Sequence, residues 1–135
     1  MTLRDLLEAG DLTAIRKRLT PHRELQAAGA TLTVHSDAGT PGTRFDGIAR
    51  SIEIFKLGLD TSIHMAVRAA TFNAATALDI QSETGTLEVG KRADFVLLDG
   101  DLGSDDRALR MVVGVARDGL LALPGRDNQP PRMEA

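Results

Sequence analysis

Cysteine is absent from the sequence, and so are tryptophan and tyrosine. Without cysteine the chain has no disulfide bond, no cysteine-ligated zinc site and no thiol nucleophile, although this absence alone does not assign a redox compartment. Four phenylalanines leave aromatics at 3% of the residues, while 42% are hydrophobic. The core must therefore be built from alanine, leucine, valine and isoleucine, a composition typical of helices packed on strands.

Long apolar runs and an excess of positive charge are also missing. No stretch approaches the ~18 apolar residues of a membrane span, and the first residues read as a charged amphipathic segment rather than a signal peptide. The 135 residues carry 16 basic and 19 acidic side chains, a net charge of −3, which argues against a duplex-binding surface. We therefore expect no nucleic-acid or membrane partner and a cytoplasmic location, with a longer, secreted parent left open.

The first part of the chain has helical spacing throughout. Three leucines before Gly10 predict a short helix that this glycine closes, and Asp11 or Thr13 is a candidate N-cap of a second helix. Thr20 followed by Pro21 is typical of an N-cap and a first-turn proline, so a third helix is predicted to begin there.

A strand and two further helices are predicted next. The β-branched run 30–36 predicts the strand, and the turn-forming residues 37–43 predict a polar loop after it. Asp46 can cap a helix whose apolar stripe reaches Leu59. An alanine-rich helix then runs to about Leu78, and three residues are candidates for its N-cap: Asp60, Thr61 and Ser62.

After Asp79 the sequence changes to short apolar runs separated by turns. Four strands are predicted, at 86–89, 93–98, 111–116 and 120–123. Asp118-Gly119 lies between the last two runs and predicts a type I′ hairpin turn, since both turn positions need a positive φ. Residues 126–135 are predicted to form a disordered tail.

The strand predicted at 30–36 has no partner in the sequence. A parallel strand that is buried on both faces needs parallel neighbours at its two edges. The chain offers no second convincing one, so the order of the elements indicates the end of a βα array followed by part of a sheet domain.

Asp37 is the first candidate for chemistry. It follows the predicted strand and opens a glycine-containing loop, which is where α/β barrels place their catalytic groups. The alternative is a role in a turn or cap, which aspartate plays more often at the end of a strand.

Three segments resemble parts of a known family: 33–39, 66–75 and 85–99, the last reading GTLEVGKRADFVLLD. In order and spacing they closely resemble the C-terminal part of metal-dependent amidohydrolases. The similarity is greatest to the imidazolonepropionase-like and Xaa-Pro dipeptidase-like branch, and it covers about residues 12–123.

The resemblance implies an α/β fold in two parts. Residues 1–80 would form the last βα units of a TIM-like (β/α)8 barrel, with the segment around Asp37 as its eighth strand and loop. Residues 81–125 would form strands of a β-sandwich, or composite, domain. Asp94, in the last of the three segments, is expected to be structural and to accept hydrogen bonds from turn amides.

The resemblance also implies a role for Asp37. In that family the matching aspartate ligates a divalent metal, commonly zinc, present as one or two ions, and it moves a proton from the attacking water to the leaving group. A carboxylate beside the metal suits both tasks. The expected substrate is a small-molecule amide or a dipeptide-like compound.

The family's paired-histidine motif and its other metal ligands have no counterpart in this sequence. A complete eightfold barrel takes about 250 residues. We therefore interpret the chain as about the C-terminal third of an amidohydrolase, whether from a truncated gene, a fragment or a split subunit, and expect it to be inactive alone. Its expected macromolecular partner is the missing N-terminal part or a second copy.

Other side chains are weaker candidates. His35 alternates onto the same face as Asp37 and is a second candidate metal ligand, which His64 could join; the alternatives are a packed His35 and a solvent-facing His64. Arg44 is a candidate for binding a substrate carboxylate, and a surface ion pair with Asp46 is its alternative.

Two functions from different classes follow. In the first, the intact protein hydrolyses a carbon–nitrogen bond with metal-activated water. In the second, the chain is an inactive remnant or docking module, which is expected to associate because an unpaired strand edge exposes apolar surface. An independent small α/β binding domain would need a second parallel strand, which the sequence does not offer.

Overall fold

The computed structural model describes residues 9–40 and 45–123, which form a mixed α/β structure. In these ranges the helices come first and a small antiparallel sheet follows. The elements in chain order are α1 (Leu12–Arg18), α2 (Thr20–Ala27), α3 (Ile48–Leu59), α4 (Ile63–Ala70), α5 (Phe72–Ala77), β1 (Phe95–Leu98), a 3₁₀ helix (Asp106–Arg110), β2 (Val112–Arg117) and β3 (Leu120–Ala122).

Two of the predicted elements, one near each end of the chain, lie outside the described residues. These are the short helix before Gly10 and the tail at 126–135. No helix in the described ranges is both long and apolar enough to cross a membrane.

Two helices, α1 and α4, begin where the sequence predicts, and in each the side chain of a predicted N-cap residue bonds to an amide of the first turn. Asp11 caps α1 by accepting from the amide of Ala14 at 2.9 Å. Ser62 caps α4 in the same way, accepting from the amide of Met65 at 3.2 Å. Each bond satisfies an amide that lacks a partner within the first turn of the helix.

Two predicted caps are wrong. The N-cap of α2 is Leu19, and the hydroxyl of Thr20 instead donates to the carbonyl of Arg16 at 3.2 Å, because the chain turns directly from α1 into α2. The N-cap of α3 is Gly47 rather than Asp46, and no side chain at that position caps the helix.

The alanine-rich helix predicted to continue to Leu78 is broken at Thr71. There the backbone has φ −121° and ψ −88°, and the chain divides into α4 and α5. Gly85 packs against this break, since a Cβ atom on it would lie 2.7 Å from Cβ of Ala75 and 3.2 Å from the carbonyl oxygen of Thr71. Gly85 has φ +94°. The break therefore coincides with a close approach of the following loop.

The segment 30–36 is not hydrogen-bonded to a strand within the described ranges. Its burial alternates as in an extended chain, with Val34 buried and its neighbours Thr33 and His35 exposed. Two bonds attach it to the helices: the amide of Val34 donates to the carbonyl of Ala69 at 3.2 Å, and Nδ2 of Asn73 donates to the carbonyl of Leu32 at 3.0 Å.

The sheet follows the strand order β1-β2-β3 and is antiparallel throughout. Three of the four predicted strands are confirmed within one or two residues at each end. Residues 86–89 are the exception, because they pair with no strand of the sheet and run into a turn. The amide of Lys91 donates to the carbonyl of Glu88 at 3.2 Å, and Nζ of Lys91 donates to the hydroxyl of Thr86 at 2.6 Å.

The hairpin turn is confirmed in detail. Asp118 has φ +49° and Gly119 has φ +80°, the positive values that a type I′ turn requires. Oδ1 of Asp94 accepts from the amide of Asp118 at 2.8 Å, and the amide of Gly119 donates to the carbonyl of Ala93 at 3.1 Å. Asp94 therefore has the structural role expected of it.

The buried core lies among the helices in two clusters. One joins α1 to α3 and contains Ile15, Leu19 and Leu59. The other joins segment 30–36 to α3 and α4, and its members are Val34, Ile52, Ile63, Ala66 and Ala69. Both clusters meet on α3, so this helix is the centre of the helical part.

The sheet has apolar side chains on both faces. The register places Leu97, Leu121 and Leu123 on one face. The opposite face presents four large apolar residues that are exposed: Val96, Val113, Val115 and Leu120. A small sheet is stable in water only when at least one of its faces packs against other residues. Exposed apolar side chains on both faces are therefore unusual for a domain that stands alone.

Two ion pairs connect the helical part to the residues before β2. Arg110 binds both carboxylate oxygens of Glu53, with Nε to Oε1 at 2.8 Å, and Lys56 pairs with Asp106. Glu53 is only 8% exposed, so its charge depends on Arg110 for compensation.

Gly85→Ala is expected to lower the free energy of unfolding by about 2–4 kcal/mol, because the added methyl group overlaps α5 and the positive φ is strained. Gly90→Ala is the matched control. Gly90 has φ +92° with no atom within 4 Å of an added Cβ, so only the strain of about 1–2 kcal/mol applies. Urea unfolding measures both, and equal losses would contradict the close packing at Gly85.

Arg110→Ala is expected to lower the free energy of unfolding by about 2–3 kcal/mol, because it leaves the carboxylate of Glu53 buried without a cation. Arg107→Ala is the control, since the guanidinium of Arg107 is exposed and pairs with the exposed Asp105. Its expected cost is below about 0.5 kcal/mol. The midpoints of thermal and urea unfolding should therefore be clearly lower for Arg110→Ala than for Arg107→Ala. Similar midpoints would show that another group compensates the charge of Glu53.

Candidate functional site

Asp37 lies exposed at the end of segment 30–36, with φ +55°. A turn follows it, in which its main-chain carbonyl accepts from the amide of Thr40 at 3.3 Å and from the hydroxyl of Thr40 at 3.0 Å. The turn thus uses the backbone of Asp37, and its carboxylate makes no hydrogen bond or ion pair within the described residues. Among the described residues, therefore, none competes with a ligand for this carboxylate.

The position of Asp37 also fits the alternative role in a turn. Aspartate is one of the few residues that tolerate a left-handed backbone. Asp60, Asp79 and Asp118 have the same conformation, so a positive φ does not by itself distinguish Asp37.

His35 is exposed, as Asp37 is. The imidazole and the carboxylate can both coordinate a divalent metal. Nevertheless, no group of three or more histidine, aspartate or glutamate side chains converges in residues 9–40 and 45–123. These residues alone do not form a complete metal site. They supply one or two candidate ligands, and further ligands would have to come from elsewhere.

His64 does not join such a group in this part of the chain. It lies on α4 beside the loop that precedes the 3₁₀ helix, where its ring is near Gly103 and Asp101. The other weak candidate, Arg44, lies outside the described residues, so its predicted contact with substrate and its alternative pairing with Asp46 both stay predictions.

The loop around Asp101 is acidic, and its oxygens are already used within the loop. Oδ1 of Asp101 accepts from the amide of Gly103 at 2.9 Å, and Oδ2 accepts from the hydroxyl of Ser104 at 2.6 Å. The Ser104 hydroxyl, the Gly103 amide and the charge of His64 lower the pKa of Asp101 below its usual value. These bonds shape the loop, and sequence reasoning overlooked them.

Sequence reasoning also missed a groove at the other end of segment 30–36. It has a volume of about 340 Å³ and lies between the end of α2, the start of the segment, and helices α3, α4 and α5. We call it the Arg68 groove. Its lining includes Leu32, Phe55, Ala69 and Asn73, with Arg68 stacked over the ring of Phe72 at 4.2 Å. The spacing of Arg68 and Phe72, four residues apart on successive helices, was the available signal.

Comparison with known proteins places these features in context. The sequence profile of the Amidohydrolase family matches residues 4–119. Imidazolonepropionase from Syntrophobacter fumaroxidans is 38% identical over 88 residues, which are 64% of this chain and 20% of that protein. The 5-methylthioadenosine/S-adenosylhomocysteine deaminase from Moorella thermoacetica is 34% identical over 88 residues, 60% of this chain and 21% of that protein.

A solved structure gives a similar result. The crystal structure of a putative prolidase from Bifidobacterium longum superposes with a TM-score of 0.69 at 32% identity, over 74% of this chain and 25% of that one. The chain thus spans about a fifth to a quarter of the relatives that it matches. The profile match extends over most of the sequence, and the relatives include an imidazolonepropionase and a putative prolidase, in agreement with the branch that the resemblance named. The chain belongs to the amidohydrolase family.

Proposed function

We propose that this chain is part of a metal-dependent hydrolase that cleaves a carbon–nitrogen bond in a cyclic amide or a peptide-like substrate. The family match supports the reaction class, and the names of the relatives, an imidazolonepropionase, a deaminase and a prolidase, are consistent with it. The observation that carries the proposal is the exposed carboxylate of Asp37 at the end of segment 30–36, which no described residue binds.

Asp37 would act as a metal ligand and as the group that moves the proton. Its carboxylate would accept a proton from the attacking water and later donate it to the leaving nitrogen. A divalent metal, zinc by family resemblance, supplies an activated water and polarises the substrate carbonyl when it is bound. His35, two residues before Asp37, is the second candidate ligand, and Arg44 stays a candidate for a carboxylate on the substrate.

The rest of the site would come from other polypeptide. Segment 30–36 would be the eighth strand of a TIM-like barrel, with residues 1–80 as the last βα units and 81–125 as strands of a composite β domain. Two features support this: the segment lacks a strand partner in the described ranges, and the sheet is apolar on both faces. The partner would be the remaining, N-terminal part of an amidohydrolase.

A chimaera tests the role of Asp37. This chain would replace the region of the Bifidobacterium longum prolidase on which it superposes, and hydrolysis of Xaa-Pro dipeptides would be measured with added divalent metal. Asp37→Asn is expected to lower kcat by about 10²–10⁴-fold, the usual contribution of a general acid–base group. The affinity of the chimaera for the divalent metal should also fall in the Asp37→Asn variant.

The matched control is Asp79→Asn. Asp79 is also exposed and has φ +58°, so the substitution has the same effect on the backbone, and activity should be retained. An active chimaera in which Asp37→Asn keeps more than about a tenth of its activity would contradict the catalytic role.

The second candidate function is a docking module without activity. The observation that favours it is the exposed apolar surface of the sheet, where Leu120 is 71% and Val96 is 52% exposed. Removing such surface from water stabilises an association by roughly 25 cal/mol per Å² of apolar area before the entropic cost of association is subtracted.

The purified chain is therefore expected to associate at micromolar concentrations and to show no metal-dependent hydrolysis. Light scattering after size-exclusion chromatography gives the mass, and Leu120→Lys, on the exposed face, should shift it towards the monomer. Arg117→Lys is a conservative control at the same end of the sheet. A monomer with zinc-dependent activity would contradict the docking function.

A further inference from the structure

Arg68 is the only charged residue among the described residues that line the Arg68 groove. Its guanidinium lies over the ring of Phe72, and no described residue accepts a hydrogen bond from it. Stacking covers one face of the guanidinium and leaves the N–H groups in its plane available. Two of these groups match the two oxygens of a carboxylate. Within the described residues the groove therefore carries one unpaired cation, which suits a ligand with a single negative charge.

The rest of the lining is largely apolar. Leu32, Phe55 and the buried Ala69 contribute to it, and so does Met65, which is 48% exposed. Small-molecule sites typically combine such a lining with a few polar groups that orient the ligand. The volume of about 340 Å³ lies near the lower limit for these sites. A ligand of the groove therefore has a small apolar body, of the size of one or two fused rings.

Neutral polar groups complete the lining. The side chains of Gln26 and Thr31 make no hydrogen bond within residues 9–40 and 45–123, whereas Nδ2 of Asn73 donates to the carbonyl of Leu32. Neutral groups can orient a carboxylate but add no second positive charge. A phosphate dianion would keep one charge uncompensated beside apolar side chains, which is unfavourable. The groove therefore favours a carboxylate.

We propose that the Arg68 groove binds a small aromatic monocarboxylate, with its carboxylate on Arg68 and its ring against Phe55 and Met65. A flat ring suits this lining, because aromatic rings pack on one another and a thioether makes favourable contacts with them. The site goes beyond the proposed function and is separate from the candidate catalytic residue. Thr31 and Asp37 are six residues apart on an extended segment, roughly 20 Å at about 3.3 Å per residue.

Ligand fluorescence tests this in the purified chain, without metal or turnover. The probe is 2-naphthoate, and the chain has no tryptophan or tyrosine to interfere with its emission. Fluorescence anisotropy should show saturable binding, about threefold or more tighter than that of the uncharged 2-naphthamide, as expected for a partly exposed ion pair. Added salt should weaken the binding of naphthoate and leave that of naphthamide unchanged.

Arg68→Gln removes the cation and should abolish the preference for naphthoate. Arg107→Gln is the matched control, because Arg107 is also an exposed arginine but pairs with Asp105 outside the groove; it should keep the preference. Far-UV circular dichroism checks that both variants fold. If Arg68→Gln does not fold, the unaltered chain still decides, because equal affinities for naphthoate and naphthamide would contradict the ion pair.

Met65→Gln tests the apolar lining, since it introduces a polar group at nearly constant size. It should weaken the binding of naphthoate and of naphthamide by the same factor, about threefold or more, and leave their ratio unchanged. Met111→Gln is its control. Met111 is also 48% exposed but lies outside the groove, so neither affinity should change.

Three results would overturn the proposal: no saturable binding of naphthoate at millimolar concentration, a preference for naphthoate that survives in Arg68→Gln, or equal losses in the two methionine variants. Acetate has the charge without the ring. If it displaces naphthoate at an equal concentration, the groove is a general anion site and the proposal is wrong. None of these measurements involves Asp37, so their outcome leaves the hydrolase proposal unaffected.

Discussion

The attachment of segment 30–36 to the alanine-rich helices is the constraint on which the candidate site depends. Ala66 and Ala69 are almost fully buried, and their small side chains let α4 approach the segment until its carbonyl at Ala69 accepts from Val34. Asn73 provides the second bond, from α5. These two contacts fix the direction of the segment, and Asp37 lies at its end, where its carbonyl accepts from Thr40 in the following turn.

The features that sequence reasoning predicted correctly are those that local interactions determine. The Asp118-Gly119 turn follows from the backbone preferences of two adjacent residues, and the caps at Asp11 and Ser62 follow from side chains that reach an amide three residues ahead. The structural role of Asp94 came from the family motif, and the structure shows the bond that explains it.

The features that were missed depend on contacts between distant parts of the chain. The break at Thr71 lies where Gly85 approaches from the following loop, and no periodicity around Thr71 reports that contact. The burial of Glu53 is accompanied by its ion pair with Arg110, fifty-seven positions later, which no local pattern around Glu53 reports. For the candidate site, the motif points to position 37, which stays a prediction, and a complete ligand set is absent from the described residues and could not be derived from this sequence.

The hairpin has a consequence for the chemical ageing of the protein. Aspartate followed by glycine is the sequence most prone to isomerisation, because the glycine nitrogen attacks the aspartate side chain to close a succinimide ring. At Asp118-Gly119 that nitrogen donates its hydrogen to Ala93, and the amide of Asp118 is held by Asp94. This hydrogen bond hinders attack by the nitrogen of Gly119 as long as the hairpin is folded. Isoaspartate should therefore accumulate at Asp118 only when the strands separate.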